Sequence, residues 1–357
     1  MFVLHNKTMK IKISFIISIL FAIYFTSCNN STSQKQGISI DLDKNVQKTI
    51  KYSSFVDSIS YTPLETNDSC IIGGVKDIQI TDSLIFVLDQ KQPVIFIFDR
   101  YGNYLNKIDR QGQGPGEYGW IVQFHYNENR GSVSVCTASG TCKIIEYDLQ
   151  GNLINEFNNN YFVRDLYQFD NGDYLVSRIG RIDEPLSAVL ICDSKGNNKK
   201  ELLQRDTRYA IDNSDSWELE IFDNTINFIS PILNNTIYNY NKGELNQTLS
   251  FNILPFPTKE FYTRNPEVLG LGPHYLRTIY KESRKWIYLA FSSNSKGLKI
   301  LLYNKLTGEY QIGQDTENDI DNKVFIAQTS ASANNTFTYC IQGENDNNPI
   351  IQTLHLK

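Results

Sequence analysis

The residue types that most often carry chemistry are sparse in this chain. Beyond the first thirty residues there are three histidines, His125, His274 and His355. They fall in separate segments without ligand spacing, which argues against a histidine-based zinc centre. No G-x-S-x-G nucleophile elbow occurs. Asp77, Asp165 and Glu117 are carboxylates that a fold would have to gather for metal-assisted hydrolysis or elimination. DTENDIDNK (315–323) has alternating acids but neither the turn glycine nor the closing glutamate of a calcium loop, so it reads as a solvated linker. RQGQGPGEYGW (110–120) packs Gly112, Gly114, Pro115 and Gly116 ahead of Glu117, Tyr118 and Trp120. A phosphate cradle needs a helix N-terminus directly after its glycines, and an aromatic-rich strand pattern follows here instead. The stretch reads as a sharp corner: Pro115 fixes φ, Tyr118 tucks between adjacent structural units, and Glu117 accepts hydrogen bonds from turn N–H groups. No cofactor is expected.

Binding uses other residues. Aromatic rings beside arginine suit stacking on sugars or capture of peptide and carboxylate groups. Arg110, Glu117, Tyr118 and Trp120 supply one such set. Arg208, Tyr209, Trp217, Tyr262, Arg264 and His274 supply the rest. More than half of these aromatics are expected to be packing residues.

These residues need a frame, and composition indicates its kind. The 357 residues are 41% hydrophobic and 20% charged, enough for a sizeable core. With 21 Tyr and 20 Phe the chain favours strands. A net charge of −5 argues against a nucleic-acid partner, which calls for a basic surface.

The N-terminus reads as a targeting segment. From Met9, the expected start, two lysines precede an apolar run, Ile13 to Phe25, and then Thr26-Ser27-Cys28. The run is shorter than the ~20 residues of a spanning helix. Its small-small-Cys ending resembles a bacterial lipobox, with Phe25 where Leu is usual, and Cys28 is then the lipidated first residue of the mature chain. Residues 1–28 are thus a lipoprotein signal peptide and 29–50 a tether. The expected location is the cell envelope, at the outer membrane and facing the periplasm, with the lipid as the sole membrane contact. Among the remaining cysteines, Cys136 and Cys142 flank a short loop. They would face one another across a hairpin, where a disulfide requires narrow geometry.

Between 51 and 357 one pattern recurs: an apolar run, a polar turn with glycine, and a short second strand. The turn glycines are Gly102, Gly151, Gly196, Gly243 and Gly308, and the first four lie 49, 45 and 47 residues apart. The last gap, 65, holds an insertion over 254–274. A period in the forties with two further strand-like runs before each hairpin marks four-stranded propeller blades. The fold class is therefore all-β, a six-bladed β-propeller. Its sixth blade lacks a fourth strand, which residues 54–65 are expected to supply, closing the ring. The blade linkers are long on one face and the turns short on the other. A binding site is expected on the long-loop face near the central channel.

GQGPGEYGWIVQFHY, followed by EYDLQGNLINEF, is similar to the NHL repeat. YTPLET (61–66), R-x-G-x-G-P-G-E-Y (110–118) and the lipobox together resemble the six-bladed β-propeller lipoproteins of Gram-negative, gut-type bacteria, over most of residues 52–357. That resemblance implies a fold and an envelope location, and no established activity. Two functions remain open. One is a non-catalytic propeller that binds a glycan, a peptide or an envelope protein on the long-loop face. The other is a metal-assisted hydrolase or lyase at the channel mouth.

Overall fold

The computed structural model describes residues 37–137, 142–159, 161–179, 187–204, 218–222, 225–229, 235–255, 274–323, 335–341, 343 and 347–357. Three short strands lead in: β1 (Ile38–Asp41), β2 (Val46–Lys51) and β3 (Val56–Pro63). Blade 1 is β4 (Val75–Ile80), β5 (Leu84–Asp89), β6 (Ile95–Asp99) and β7 (Tyr104–Ile108). Blade 2 is β8 (Ile121–Asn127), β9 (Ser132–Thr137), β10 (Cys142–Asp148) and β11 (Leu153–Asn159). Blade 3 is β12 (Phe162–Gln168), β13 (Tyr174–Ile179), β14 (Ser187–Cys192) and β15 (Asn198–Gln204). Blade 4 is β16 (Glu218–Phe222), β17 (Thr225–Ile229), β18 (Asn235–Asn241) and β19 (Glu244–Leu254). Blade 5 is β20 (Leu276–Glu282), β21 (Trp286–Ser293), β22 (Gly297–Asn304) and β23 (Tyr310–Glu317). Blade 6 shows β24 (Thr336–Ile341) and β25 (Ile350–Leu356). Strands within a blade pair antiparallel in chain order, giving a six-bladed β-propeller. The region expected to supply the inner strand of blade 6, near 324–331, lies outside the described residues.

The ring closes as the repeat demands. β3 pairs antiparallel with β25, with Ile59 opposite Leu354 and Thr62 opposite Ile351. The tether assigned to 29–50 requires correction, because β1 and β2 belong to the propeller. β1 adds in parallel to β19 and β2 in parallel to β23, so blades 4 and 5 have five strands. Ile40, Leu42 and Ile50 are fully buried. Their alternation is too short to register as periodicity, and pairing onto blade edges supplies what the pattern lacks.

The core lies between blades. One apolar cluster joins blades 1 and 2 through Phe86, Ile97, Phe124 and Tyr147, and comparable clusters join each successive pair around to blade 6 and blade 1. The polar turns are equally regular. Asp99, Asp148 and Asp193 each accept backbone N–H groups two and four residues on, and each binds the side-chain amide of the asparagine four residues on. This explains the D-x-x-G-N pattern of blades 1 to 3: the aspartate closes the turn and glycine accepts φ near +80°.

The YTPLET stretch stitches the seam. Glu65 accepts the N–H of Tyr104 at 2.7 Å and its own N–H donates to Gly102 O at 2.8 Å. Buried Asn348 donates to Glu65 O at 2.6 Å and accepts the N–H of Ile72 at 2.8 Å. The acids of 315–323 serve the same seam. Asp319 accepts from the N–H and hydroxyl of Ser53 at 2.9 and 2.6 Å, and Asp321 accepts from the Tyr61 hydroxyl.

A Cβ at Gly102 would lie 2.1 Å from Pro63 O, at φ +88°. Gly102→Ala should cost at least about 1–2 kcal/mol for left-handed backbone, with the carbonyl clash added. Gly131→Ala, at φ +60° with open space around it, should carry only the backbone part. Urea unfolding of both variants tests this, and equal losses would show that the seam tolerates the added methyl.

Candidate functional site

Four inner strands share one irregularity. The pairing register slips between Val75 and Asp77, between Ile121 and Gln123, between Val163 and Asp165, and between Arg277 and Ile279. Each is a β-bulge early in the innermost strand of its blade. A bulge breaks the period of two and turns adjacent side chains the same way. Lys76 with Asp77, Val122 with Gln123, and Arg164 with Asp165 therefore line one pocket of about 440 Å³. Glu218 and Glu220 from β16 and Lys281 from β20 complete it. Five successive blades contribute.

Gln123 links the aspartates. Its Nε2 donates to Asp165 Oδ1 at 3.4 Å, its side chain also hydrogen-bonds Asp77, and its Oε1 accepts the N–H of Phe124 at 3.1 Å. Burial raises Asp77 to about 7 and Asp165 to about 6, and their mutual repulsion adds to the rise of Asp77. Burial likewise raises Glu220 to about 7, against the pull of Lys281, whose Nζ lies 2.7 Å from Oε1. Burial opposes the charge of Lys281, but Glu220, Asp77 and Glu218 outweigh it and hold the ammonium above its usual value. Arg277, fully buried and lowered by that burial, donates to Asn235 at 2.9 Å and to Glu218 at 3.4 Å. Lys76 donates to Ile121 O at 2.7 Å, while Arg164 is exposed. The result is a mixed-charge pocket with three carboxyls raised toward neutrality, suited to binding donors and acceptors together or to moving a proton.

The residues expected from sequence divide between corner and mouth. Tyr118 is buried between blades 1 and 2. Its hydroxyl donates to Ile108 O at 3.1 Å and accepts the Arg110 N–H at 3.2 Å. Arg110 Nε donates to Gly151 O at 2.7 Å. Glu117 accepts the N–H of Gly114 at 2.8 Å. A Cβ on Gly112 would sit 2.0 Å from that carboxylate, so a larger residue there would displace the Glu117 side chain. This corner lies on the outer side of the ring. Trp120 reaches the channel mouth, where Lys76 Nζ lies 6.0 Å from its ring. His274 sits beside Lys296, and the adjacent Tyr275 hydroxyl donates to Asp43 in the β1–β2 turn at 2.6 Å. Arg208, Tyr209, Trp217, Tyr262, Arg264 and Cys28 lie outside the described residues.

Asp77 and Asp165 come together, but Glu117 does not join them, and among the described residues no three His, Cys, Asp or Glu side chains are placed to hold a metal. His125 accepts the N–H of Gln168 at 3.1 Å, and burial lowers it to about 3, so it is a neutral inter-blade strut. Cys136 lies opposite Ile144, which places Cys142 one diagonal step away. The thiols hydrogen-bond, and both are free. Gln123, Glu218, Glu220 and Lys281 were not singled out from sequence. The available signal was a charged or amide residue early in each inner strand beside a polar or small neighbour.

A six-bladed β-propeller with a polar pocket in its channel is the class this geometry defines. The chain belongs to a family known as a domain of unknown function, DUF4934, whose model matches residues 37–353. It is similar in structure to a Bacteroides fragilis protein named as a candidate for export (TM-score 0.71, 16% identity, 90% of this chain and 99% of that one). A chain of the Saccharomyces cerevisiae complex of Dbp5 with Nup159 and Gle1 matches at TM-score 0.49 and 10% identity over 89% of this chain and 100% of that one. A Bacteroides caccae protein of unknown function matches at TM-score 0.40 and 12% identity over 64% and 77%. No curated protein matches the chain.

Asp77 and Asp165 bind their protons more tightly folded than unfolded. Stability therefore falls as pH rises from the ordinary carboxylate value, about 4, through the folded values and is level above them. Asp77→Asn removes part of that slope. It should gain on the wild type by about 1–2 kcal/mol between about pH 4 and about pH 8. Parallel urea-unfolding curves at the two pH values would refute the raised Asp77.

Proposed function

We propose that this chain is a lipid-anchored envelope protein that binds a small polar ligand, a glycan unit or a peptide end, in its channel pocket. The observation that carries this reading is the repeated bulge. Packing of a propeller requires apolar wedges between blades, and nothing in that packing requires Lys76–Asp77, Gln123, Arg164–Asp165 and Lys281 to converge. A pocket of about 440 Å³ falls in the range of small-molecule sites. The donor set favours an organic ligand over a divalent cation, because Gln123 presents N–H to Asp165 and Lys281 occupies Glu220. The leader up to Cys28 and the name of the Bacteroides fragilis relative support the envelope location.

A thermal-shift panel of envelope sugars and short peptides tests the proposal. A ligand that raises the melting temperature of the wild type should lose that effect in Asp165→Asn and Gln123→Leu, with at least about tenfold weaker binding, or 1.4 kcal/mol. A ligand that stabilises wild type and variants equally would place binding elsewhere. A stoichiometric divalent ion that survives dialysis and is lost in Asp165→Asn would favour the metal-assisted hydrolase or lyase.

A further inference from the structure

A second cavity, of about 390 Å³, opens between blades 3 and 4 among the short turns, at the opposite ends of the inner strands from the bulges. Its floor is apolar, made by buried Ile191 and Ile226. Aromatic rings stand along it in sequence. Tyr167 lies 5.1 Å from Phe169, and Phe169 lies 6.0 Å from Tyr240, both edge-on. Tyr167 and Phe169 are only half-buried and Tyr240 is buried, so the outer rings keep open surface.

The rim carries both signs of charge, already positioned. Asp170 is held by the amides of Asn127 and Asn129 at 3.1 and 2.9 Å. Asp173 is held by Lys199 at 2.6 Å. Opposite stands Lys242 in the β18–β19 turn, exposed and at φ +50°. A two-residue hairpin turn of this kind needs positive φ at both central positions, which favours Asn-Gly. Among the described residues the other non-glycine residues at positive φ are all asparagines, Asn45, Asn322 and Asn335. Lysine at such a position is a local strain, and strain of this sort concentrates where a side chain is needed.

We infer that this groove is a binding site for a neutral pyranose unit of a glycan, independent of the channel pocket. A cationic ligand would meet Lys242, and an anionic one would meet Asp170 and Asp173. An uncharged polyhydroxylated ring can donate to the carboxylates and accept from the ammonium at once. Its C–H face can lie on the negative face of Phe169, with Tyr167 edge-on beside it.

Saturation-transfer NMR on the full chain tests this. The probes are methyl glycosides of glucose, galactose, mannose and N-acetylglucosamine, with lysine amide and citrate as the charged probes. At least one glycoside should bind, and its affinity should fall tenfold or more in Phe169→Ala. Phe169→Leu, which keeps apolar volume and removes the ring, should show the same loss at an unchanged melting temperature. Lys242→Asn should keep or raise the melting temperature while weakening the glycoside. The part of the glycoside signal that Phe169→Ala removes should persist in Asp77→Asn, which separates this site from any binding in the channel. Binding of the charged probes alone, no binding at all, or glycoside binding that survives both Phe169 variants or Lys242→Asn would overturn the proposal.

Discussion

Everything in this molecule depends on the pairing of β3 with β25. Val56 meets Leu356 across 300 residues of chain. Loop-closure entropy grows only with the logarithm of length, so that span costs about 2 kcal/mol more than closing a single blade of about 40 residues. The pairing is backed by buried Ile50, Tyr52, Phe55 and Val56 against Trp286, Leu354 and Leu356. Without it, β25 would be left as the open edge of blade 6. The channel would also lose its fixed radius, and the side chains of five blades would no longer share one pocket. The two added strands, β1 and β2, extend the outer edges of blades 4 and 5 before the seam, so that with β3 the N-terminal segment straps three successive blades.

The channel is polar because the fold leaves it free to be. Inter-blade wedges take the apolar and aromatic residues, and the inner strands look inward onto space that no neighbouring sheet fills. Bulges then place two consecutive side chains there instead of one. Charged groups so placed are partly stripped of water, which raises Asp77, Asp165 and Glu220 toward neutrality. Lys281 stays charged only because carboxylates surround it. Removing one member of such a set changes the protonation of the others, so the pocket behaves as a unit.

Much of this architecture is legible in the sequence, and the reasons are local. A turn of the form D-x-x-G-N dictates its own hydrogen bonds, so its recurrence at 99, 148 and 193 marks blades 1 to 3. The role of GQGPGEY is set by residues that satisfy one another within a few positions, Glu117 with Gly114 and Tyr118 with Ile108. The pocket is a different matter. A bulge is invisible to a rule that assigns alternate residues to alternate faces, so Asp77 and Asp165 could be picked as candidates while Gln123, which joins them, could not. β1 and β2 were hidden because each draws its stability from an edge some 200 residues or more away. Cys136 and Cys142 depended on register: the hairpin brings them together on a diagonal, and diagonal Cα atoms stand about 7–8 Å apart, beyond the usual reach of a disulfide.

The irregular blade is informative in the same way. Blades 1 to 3 spend four or five residues on the turn between their outer strands, held by the capping aspartate, while blade 4 uses only Lys242 and Gly243. That short turn lines the same cavity as the Asp170–Asp173 turn between β12 and β13 of blade 3, with Tyr167 and Phe169 in the wall. Lys200 reaches from β15 to Gly243 O at 2.8 Å and ties blade 3 to that turn. A departure from the repeat thus lies on the rim of a concavity. In a propeller built from near-identical blades, the positions where the blades differ are where a ligand can tell one interface from another.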